Sequence, residues 1–478
     1  MNAIQDVKRH HPAWIAVELI TALKNSVFAI IFLFVLKANS TSNWVVWGRY
    51  LFIAAAILTT ISILLKWLLH RYELQPSSIV VKEGIFVKKQ RTVALERIQN
   101  HHSKTTFVHR WFNLTSLTLE TGTSGEDAAI TFPVITILEK DRILSLLVEE
   151  KEPSEMADGG IQLEKKTRTV HFRSTKKDLF KASFTSMSFL AIFPLLSAVY
   201  FNLADFFDIE DSAENALDYL IGHWWMLFVL FVIAMLLSVA IGFIKTVIKY
   251  GNYEISDDEE RIYIEKGVGS SSSFSIQKHK VQAVVVEQSI LKRLLGLASI
   301  KLISVGSAEG EEKDTSSLYP FMPKHEAYEL LHTLLPGYPI EENMQRFPVK
   351  VLLLKLILPY YFTILVAGGL FIFKREWIWI ATVVFLLSLI SRILDYYFTS
   401  YIRNGNTVQV RRGGFTNETF VTKRSQIQQI TVHHSWIQRK FGVASLSFIN
   451  RAKPMHTSEL YGLSKEEASE FYRWYQGS

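Results

Sequence analysis

The sequence has no cysteine in 478 residues, so it forms no disulfide, binds no metal through thiolate and uses no thiolate nucleophile. Proline is scarce, at 12 residues, and charged residues make up only 20% of the chain. With 49% hydrophobic and 13% aromatic residues, the composition is too apolar for a purely soluble protein and fits membrane spans averaged with folded polar parts. Catalytic signatures are missing as well. There is no G-x-S-x-G nucleophile elbow and no H-E-x-x-H zinc helix. The glycine- and serine-rich stretch Gly267–Phe274 lacks the Lys-Ser/Thr of a phosphate loop and reads as a hairpin connection. His101–His102 and His433–His434 have no carboxylate at ligand spacing, and adjacent residues in a strand point to opposite faces. The expectation is therefore a non-enzymatic chain with no catalytic residue, no cofactor and no metal. The net charge of +7 suits either nucleic acid or an anionic membrane face. The basic residues are spread along span ends and interleaved with acids rather than forming a stripe, so no nucleic-acid partner is expected.

Six apolar runs near the ~20 residues needed to cross a bilayer stand out. They are Trp14–Leu36, Val45–Leu69, Phe184–Leu203, His223–Ile248, Val349–Phe373 and Trp377–Phe398, and they read as three transmembrane hairpins. No clear small-residue cleavage site follows the basic start at Lys8 and Arg9, so a cleavable signal peptide is not expected. Orientation follows the cations beside the spans. The loop 202–223 carries six carboxylates and no Lys or Arg, which places it outside. Lys8, Arg9, Lys66, Arg71, Lys176, Lys177, Lys181, Lys245, Lys249, Arg346, Lys350 and Arg392 collect on the other side. Both termini and the long inter-hairpin segments should then be cytoplasmic, although Lys37, Arg49, Lys374 and Arg375 sit on outer loops. Trp14, Trp44, Trp47, Trp224, Trp225, Trp377 and Trp379 fall near span ends, where indoles favour the interface.

Between the hairpins, one pattern occurs three times: RIQNHHSKTTFVHRWFNLTSL from Arg97, KVQAVVVEQSILKRLLGLASI from Lys280, and QIQQITVHHSWIQRKFGVASL from Gln426. Aligned on Gln99, Gln282 and Gln428, the copies share Gly84, Gly267 and Gly413 fifteen residues earlier. Thr106, Ser289 and Ser435 follow seven residues later, then Arg110, Arg293 and Arg439, then Asn113, Gly296 and Gly442, all without a gap. A hydroxyl residue followed seven positions on by Gly or Asn brackets a short helix: the hydroxyl caps its start and the left-handed residue ends it. The arginine then meets the negative end of the helix dipole. The flanks alternate with period two around the glycine, as hairpins do, and SLTLET, SIKLISV and SLSFIN continue as strands. Thr136 with Glu139, Ser464 with Glu467, and Pro323 mark the starts of three closing helices. The fold class is thus α-helical transmembrane plus β-rich, with six spans in three hairpins, each followed by a small β-barrel or curled sheet plugged by a C-terminal helix. The expected organisation is hairpin 14–70, barrel 71–150, linker 151–180, hairpin 181–249, barrel 250–337, linker 338–348, hairpin 349–399 and barrel 400–478.

Hairpin spans leading into strand–Gly–strand, then I-Q, then S-x-x-x-R-x-[FL]-G-L-x-S-[LI], resemble the bacterial pleckstrin-homology-type membrane proteins of the YdbS/YdbT kind. Three copies in a chain of this length are most similar to the larger, YdbT-type members, and the likeness covers nearly the whole chain. The first copy departs at Asn113, where the pattern has Gly, which suggests that the copies are not functionally equal. The resemblance implies a PH-like barrel after each hairpin and a place in the bacterial cytoplasmic membrane. It also implies pairing with a shorter one-domain relative, and in some relatives protection against membrane-active peptides. Phosphoinositide binding does not follow from fold alone.

Charges inside spans are costly and so draw attention: Glu18, Lys24 and Lys355, with Arg392 and Asp395 spaced for an intrahelical pair. Lys355 is expected to snorkel towards the cytoplasmic surface. Lys176–Lys181 and Lys423–Gln426 are candidates for anionic lipid. The leading expectation is assembly: barrels packing on one another, on a one-domain relative, or on lipid headgroups. The alternative is an export or immunity function, with the hairpins forming a path for amphipathic peptides.

Overall fold

The computed structural model describes residues 7–38, 40–85, 87–121, 129–149, 168–185, 224–304, 317–450 and 456–477. Nearly all of the third expected span and the acidic loop that follows it lie outside the described residues. The chain divides into two units: Met1–Lys166 with Arg173–Glu254 and Glu265–Phe274, and Thr167–Phe172 with Ile255–Ile264 and Ser275–Ser478.

The first unit opens with a three-residue strand, β1 (Val7–Arg9), before any span. Helix α1 (Ala13–Ile30) continues as a π-helical stretch to Leu36 and packs on α2 (Asn43–Leu69). Strands β2 (Arg71–Leu74), β3 (Ser78–Glu83) and β4 (Lys89–Ala94) follow, and β1 pairs with β2 to give the sheet order β1-β2-β3-β4. A single 3₁₀ turn, Leu95–Arg97, swings the chain into β5 (Ile98–Thr105). The helical stub α3 (Phe107–Trp111) leads to β6 (Leu114–Thr121), β7 (Ala129–Thr136) and the closing helix α4 (Ile137–Glu149). Alternation in these strands turns Ile79, Val81, Leu117, Leu119, Ile130 and Phe132 inward, and Ile143 of α4 plugs the core. Glu139 anchors the pre-span strand, since Lys8 Nζ lies 3.1 Å from its carboxylate. Its backbone N–H also donates to the capping Thr136 Oγ1 at 3.2 Å.

The second repeat begins with β8 (Thr169–Arg173), α5 (Lys176–Thr185) and the 27-residue α6 (Trp224–Tyr250), which packs on α5. Then come β9 (Glu254–Asp257), β10 (Arg261–Lys266) and β11 (Ser271–Gln277). The sheet order β7-β6-β5-β11-β10-β9-β8 places β11 beside β5. The segment read as a linker, 151–180, therefore holds a strand and the start of a helix.

In the second unit, β12 (Val281–Ser289), α7 (Ile290–Leu294), β13 (Leu297–Ser304), β14 (Met322–Pro323) and α8 (Lys324–Leu334) complete the second repeat. The third repeat opens with β15 (Gln345–Arg346), inside the stretch 338–348 that reads as linker, and then α9 (Val349–Ile357), α10 (Tyr361–Phe373) and α11 (Trp379–Phe398). It continues with β16 (Ser400–Asn404), β17 (Thr407–Arg412), β18 (Thr416–Lys423) and β19 (Ile427–His433). It ends with α12 (Trp436–Phe441), β20 (Val443–Asn450), β21 (His456–Ser464) and α13 (Lys465–Gln476). The sheets are β14-β13-β12-β18-β17-β16-β15 and β19-β20-β21. The repeats are not separate in their strand pairing. The last strands of repeat two and the first strands of repeat three form one continuous sheet, because β12 pairs with β18.

Among the described residues, four stretches are long and apolar enough to cross a membrane: Ala13–Leu36, Asn43–Leu69, Val349–Phe373 and Arg375–Phe398. The third of these is not one helix. It breaks at Leu358–Tyr360, because Pro359 has no N–H and its ring crowds the carbonyl of residue 355. The first segment, α9, buries Val351 and Leu354 in the core of the third repeat with Phe347, Tyr401, Phe448 and Phe471.

Candidate functional site

The repeated motif builds the same corner three times. Thr106 and Ser289 each accept from the amide three residues on, at 3.5 Å, and Ser435 does so at 3.2 Å within a reciprocal box with Gln438. Asn113 (φ +53°), Gly296 (φ +66°) and Gly442 (φ +66°) end the stubs in the left-handed region, and Arg110, Arg293 and Arg439 stand in the last turns. Gly84 and Gly267 are equivalent. Each has φ near +108° (109° and 107°), and a Cβ there would fall 1.9 Å from the carbonyl oxygen of Val87 or Ser270. Gly413 departs from this reading: its φ is not in the left-handed region, and its lack of a side chain instead makes room for the Phe398 Cβ, 2.0 Å from where a Cβ would lie. The aligned glutamines differ in exposure: Gln282 is buried, Gln99 half-buried and Gln428 exposed.

That difference follows the seams between repeats. Strand β12 pairs antiparallel with β18 through seven residue pairs, from Ala283↔Thr422 to Ser289↔Thr416. Val285 lies opposite Phe420, and both are buried with Ala283. Thr422 Oγ1 donates to the Gln282 carbonyl at 2.8 Å. The motif arginine crosses the seam: Arg293 donates to Asn417 Oδ1 at 3.5 Å and lies 4.2 Å from the centroid of the Phe398 ring. Glu287 and Glu418 face each other. Burial pushes the Glu418 carboxyl up, Arg412 and Lys301 offset this, and Lys301 binds Glu287 at 2.6 Å.

In the first unit β5 lies beside the start of β11, residues 271–274. His102, at the repeat position of Val285, touches Ser272 Oγ at 3.5 Å, and its ring lies 6.1 Å from that of Phe274, at the repeat position of Phe420. Burial, with Lys266 and Lys104 adding to it, pushes the His102 imidazole down to about 4. Sequence reasoning missed these seams. One signal pointed to them: eight residues before the aligned glutamine stand Phe274 and Phe420, but Arg91 in the first repeat.

Charges gather at two other places. Leu69 at the end of α2, with Lys82, Glu83, Gly84, Lys88, Lys89 and Gln90, lines a cleft of three lysines and one carboxylate beside the exposed Val87. In the third hairpin Arg392 donates to the carbonyls of Lys355 (2.8 Å), Leu358 and Pro359 (2.9 Å), the groups freed by the proline break. Asp395 binds Lys355 on the facing helix, not Arg392 on its own, so the expected intrahelical pair is corrected. Glu18 accepts from the Trp14 indole at 3.1 Å, and Lys24 is exposed. Trp14 itself is buried against Leu114 and Val134 rather than exposed like Trp44, Trp47, Trp225, Trp377 and Trp379. Of the lipid candidates, Lys176, Lys177 and Lys181 are exposed on α5. Lys423 instead stacks 4.6 Å from the Tyr338 ring centroid, and Arg424 donates to the Trp474 carbonyl at 3.2 Å. His433 lies 3.5 Å from Glu459, and among the described residues no three potential metal ligands converge.

Four sheets, linked along the chain by a corner that occurs three times, on a chain with bilayer-length apolar stretches, define a tandem membrane-bound domain protein. The chain belongs to the bacterial PH domain family, which it matches over residues 26–151, 199–337 and 352–478. It is similar to the UPF0699 transmembrane protein YdbT of Bacillus subtilis (strain 168), with 23% identity over 499 aligned positions covering 99% of this chain and 98% of that protein. No solved structure matches it.

Proposed function

We propose that this membrane protein is a non-enzymatic, multi-pass assembly component of the bacterial cytoplasmic membrane. Its six spans form three hairpins, and its termini and PH-like units face the cytoplasm. The observation that carries the reading is the seam: the chain already joins its own PH-like units by strand pairing and crosses the joint with a motif arginine. A protein built to add such units edge to edge is suited to adding one more, from a one-domain relative or another copy. Lys82, Lys88 and Lys89, which line the cleft beside the end of α2, supply contact with anionic headgroups, each cation contributing about 1 kcal/mol near the surface. Purification in mild detergent followed by native mass spectrometry tests this. A stable complex with protein or retained anionic lipid is expected, and a bare monomer with neither would overturn it.

A second reading, a path for amphipathic peptides, draws on the proline-broken stretch and its charges. Assembly is preferred because Lys355 and Asp395 already pair with each other and Arg392 satisfies the broken backbone. Replacing Asp395 with Asn should leave sensitivity to cationic membrane-active peptides unchanged; raised sensitivity at equal expression would favour the path.

A further inference from the structure

Of the three strands that follow the 3₁₀ corner, two have a strand on their outer edge and, among the described residues, one does not; there only the Tyr475 hydroxyl reaches the strand's start, donating to the Gln428 carbonyl at 3.0 Å. Strand β5 has β11 beside it and β12 has β18, whereas β19 has β20 alone among the described residues. Burial follows: Val285 and Val286 of β12 are 4% and 2% exposed, while Val432 of β19, at the repeat position of Val286, is 40% exposed. The neighbouring Trp436 is 69% exposed. Exposed edges of this kind are ordinarily blunted by charge, because an open row of backbone N–H and C=O groups invites pairing. Strand β19, IQQITVH, contains no Lys, Arg, Asp or Glu. The opposite end of the repeat series is blunted in that way. Lys89 and Arg91 lie in β4, preceded by Lys88, and Arg91 takes the position that Phe274 and Phe420 hold at the seams.

We propose that β19 is an open docking edge that accepts, antiparallel and in the register of the internal seam, the third strand of a PH-like unit on a different protein. This rests on the assembly reading and specifies its surface. The internal seams state what such a strand must offer. Both β11 (SSSFSIQ) and β18 (TNETFVTK) begin with small polar residues, place Phe opposite the inward position of the corner strand, and continue with hydroxyl and apolar residues. The partner also presents an acceptor for Arg439, as Asn417 does for Arg293. A second copy of this chain does not meet these terms. In the seam register its Arg91 would oppose Thr431, its Lys89 would oppose His433, and Lys88 would face Arg439, so self-addition through β4 brings cations together.

The absence of native cysteine allows a direct test on the full chain in detergent. A Val432→Cys chain is offered a synthetic peptide of residues 415–423 carrying Thr419→Cys, the residue that faces the Val432 equivalent in the seam. Disulfide-linked adduct is expected. It should fall about tenfold or more when the peptide also carries Phe420→Arg, or when the chain also carries Thr431→Lys, as expected if the edge contact is worth ~1.4 kcal/mol or more. Equal adduct with the arginine peptide, or dimerisation of the Val432→Cys chain in preference to peptide, would overturn the proposal. Thr431→Lys alone is then purified from native membranes. Loss of the protein complex seen with the unmodified chain, at unchanged melting temperature, supports the edge. Persistence of that complex overturns the edge while leaving the assembly reading intact. An unmodified chain that yields neither a protein complex nor retained lipid removes the assembly reading itself.

Discussion

At the scale of single residues, two glycines of the same repeat carry different burdens. Gly296 ends its stub at φ +66° with open space where a Cβ would sit, so Gly296→Ala costs only the left-handed strain, about 1–2 kcal/mol. At Gly267 a Cβ would fall 1.9 Å from the Ser270 carbonyl oxygen, which the turn cannot relieve without moving backbone. Gly267→Ala should therefore lower the thermal midpoint in detergent by clearly more than Gly296→Ala; equal losses would show that the turn is soft. Buried imidazoles make stability depend on pH on the acid side. His10 lies against Trp14, His70, Tyr72 and Phe132, and burial, with His70 adding to it, pushes it from 6.5 down to about 3. As pH falls, the unfolded chain takes up this proton first. The associated stability is thus intact above pH 6.5 and lost on acidification towards 3, with His102 acting in the same sense down to about 4. Melting temperature should fall between pH 6.5 and 4, and His10→Phe should flatten part of that slope.

At the scale of elements, the broken stretch depends on one side chain. Pro359 removes the helix's own bond to the Lys355 carbonyl, and Arg392 supplies it from the facing helix while its guanidinium stacks 3.7 Å from the Tyr360 centroid. Arg392→Leu should cost about 1–3 kcal/mol by leaving carbonyls without donors. Combining it with Pro359→Leu, which lets α9 and α10 join and bond internally, should recover part of the loss. Failure of the second change to rescue the first would mean that Arg392 acts through charge rather than through these carbonyls. The apolar runs at this scale were legible in the sequence, because length and lack of charge suffice to identify them. The break was legible only as a proline; that α9 packs into the third repeat's core depends on Tyr401, Gly462 and Phe471, residues far from it in sequence.

At the scale of the molecule, repeats two and three share a sheet and cannot be separated cleanly. A fragment starting at residue 338 would expose Phe420 and Thr422, which the full chain covers with β12. It is expected to aggregate, and Phe420→Arg, copying the blunt β4, should restore solubility; a soluble unmodified fragment would count against the seam as a stabilising joint. By itself the sequence determined the bilayer-length apolar runs, the three copies and the capped corner in each, because these depend on contacts only a few residues apart. The tertiary structure alone decided that strands 169–173 and 345–346 join their sheets ahead of the spans, that Gly413 serves close packing rather than a turn, and that β12 takes β18 as its neighbour. A period-two pattern specifies which face of a strand is buried but not which strand lies beside it. That choice is made by edge-to-edge complementarity between residues more than a hundred positions apart.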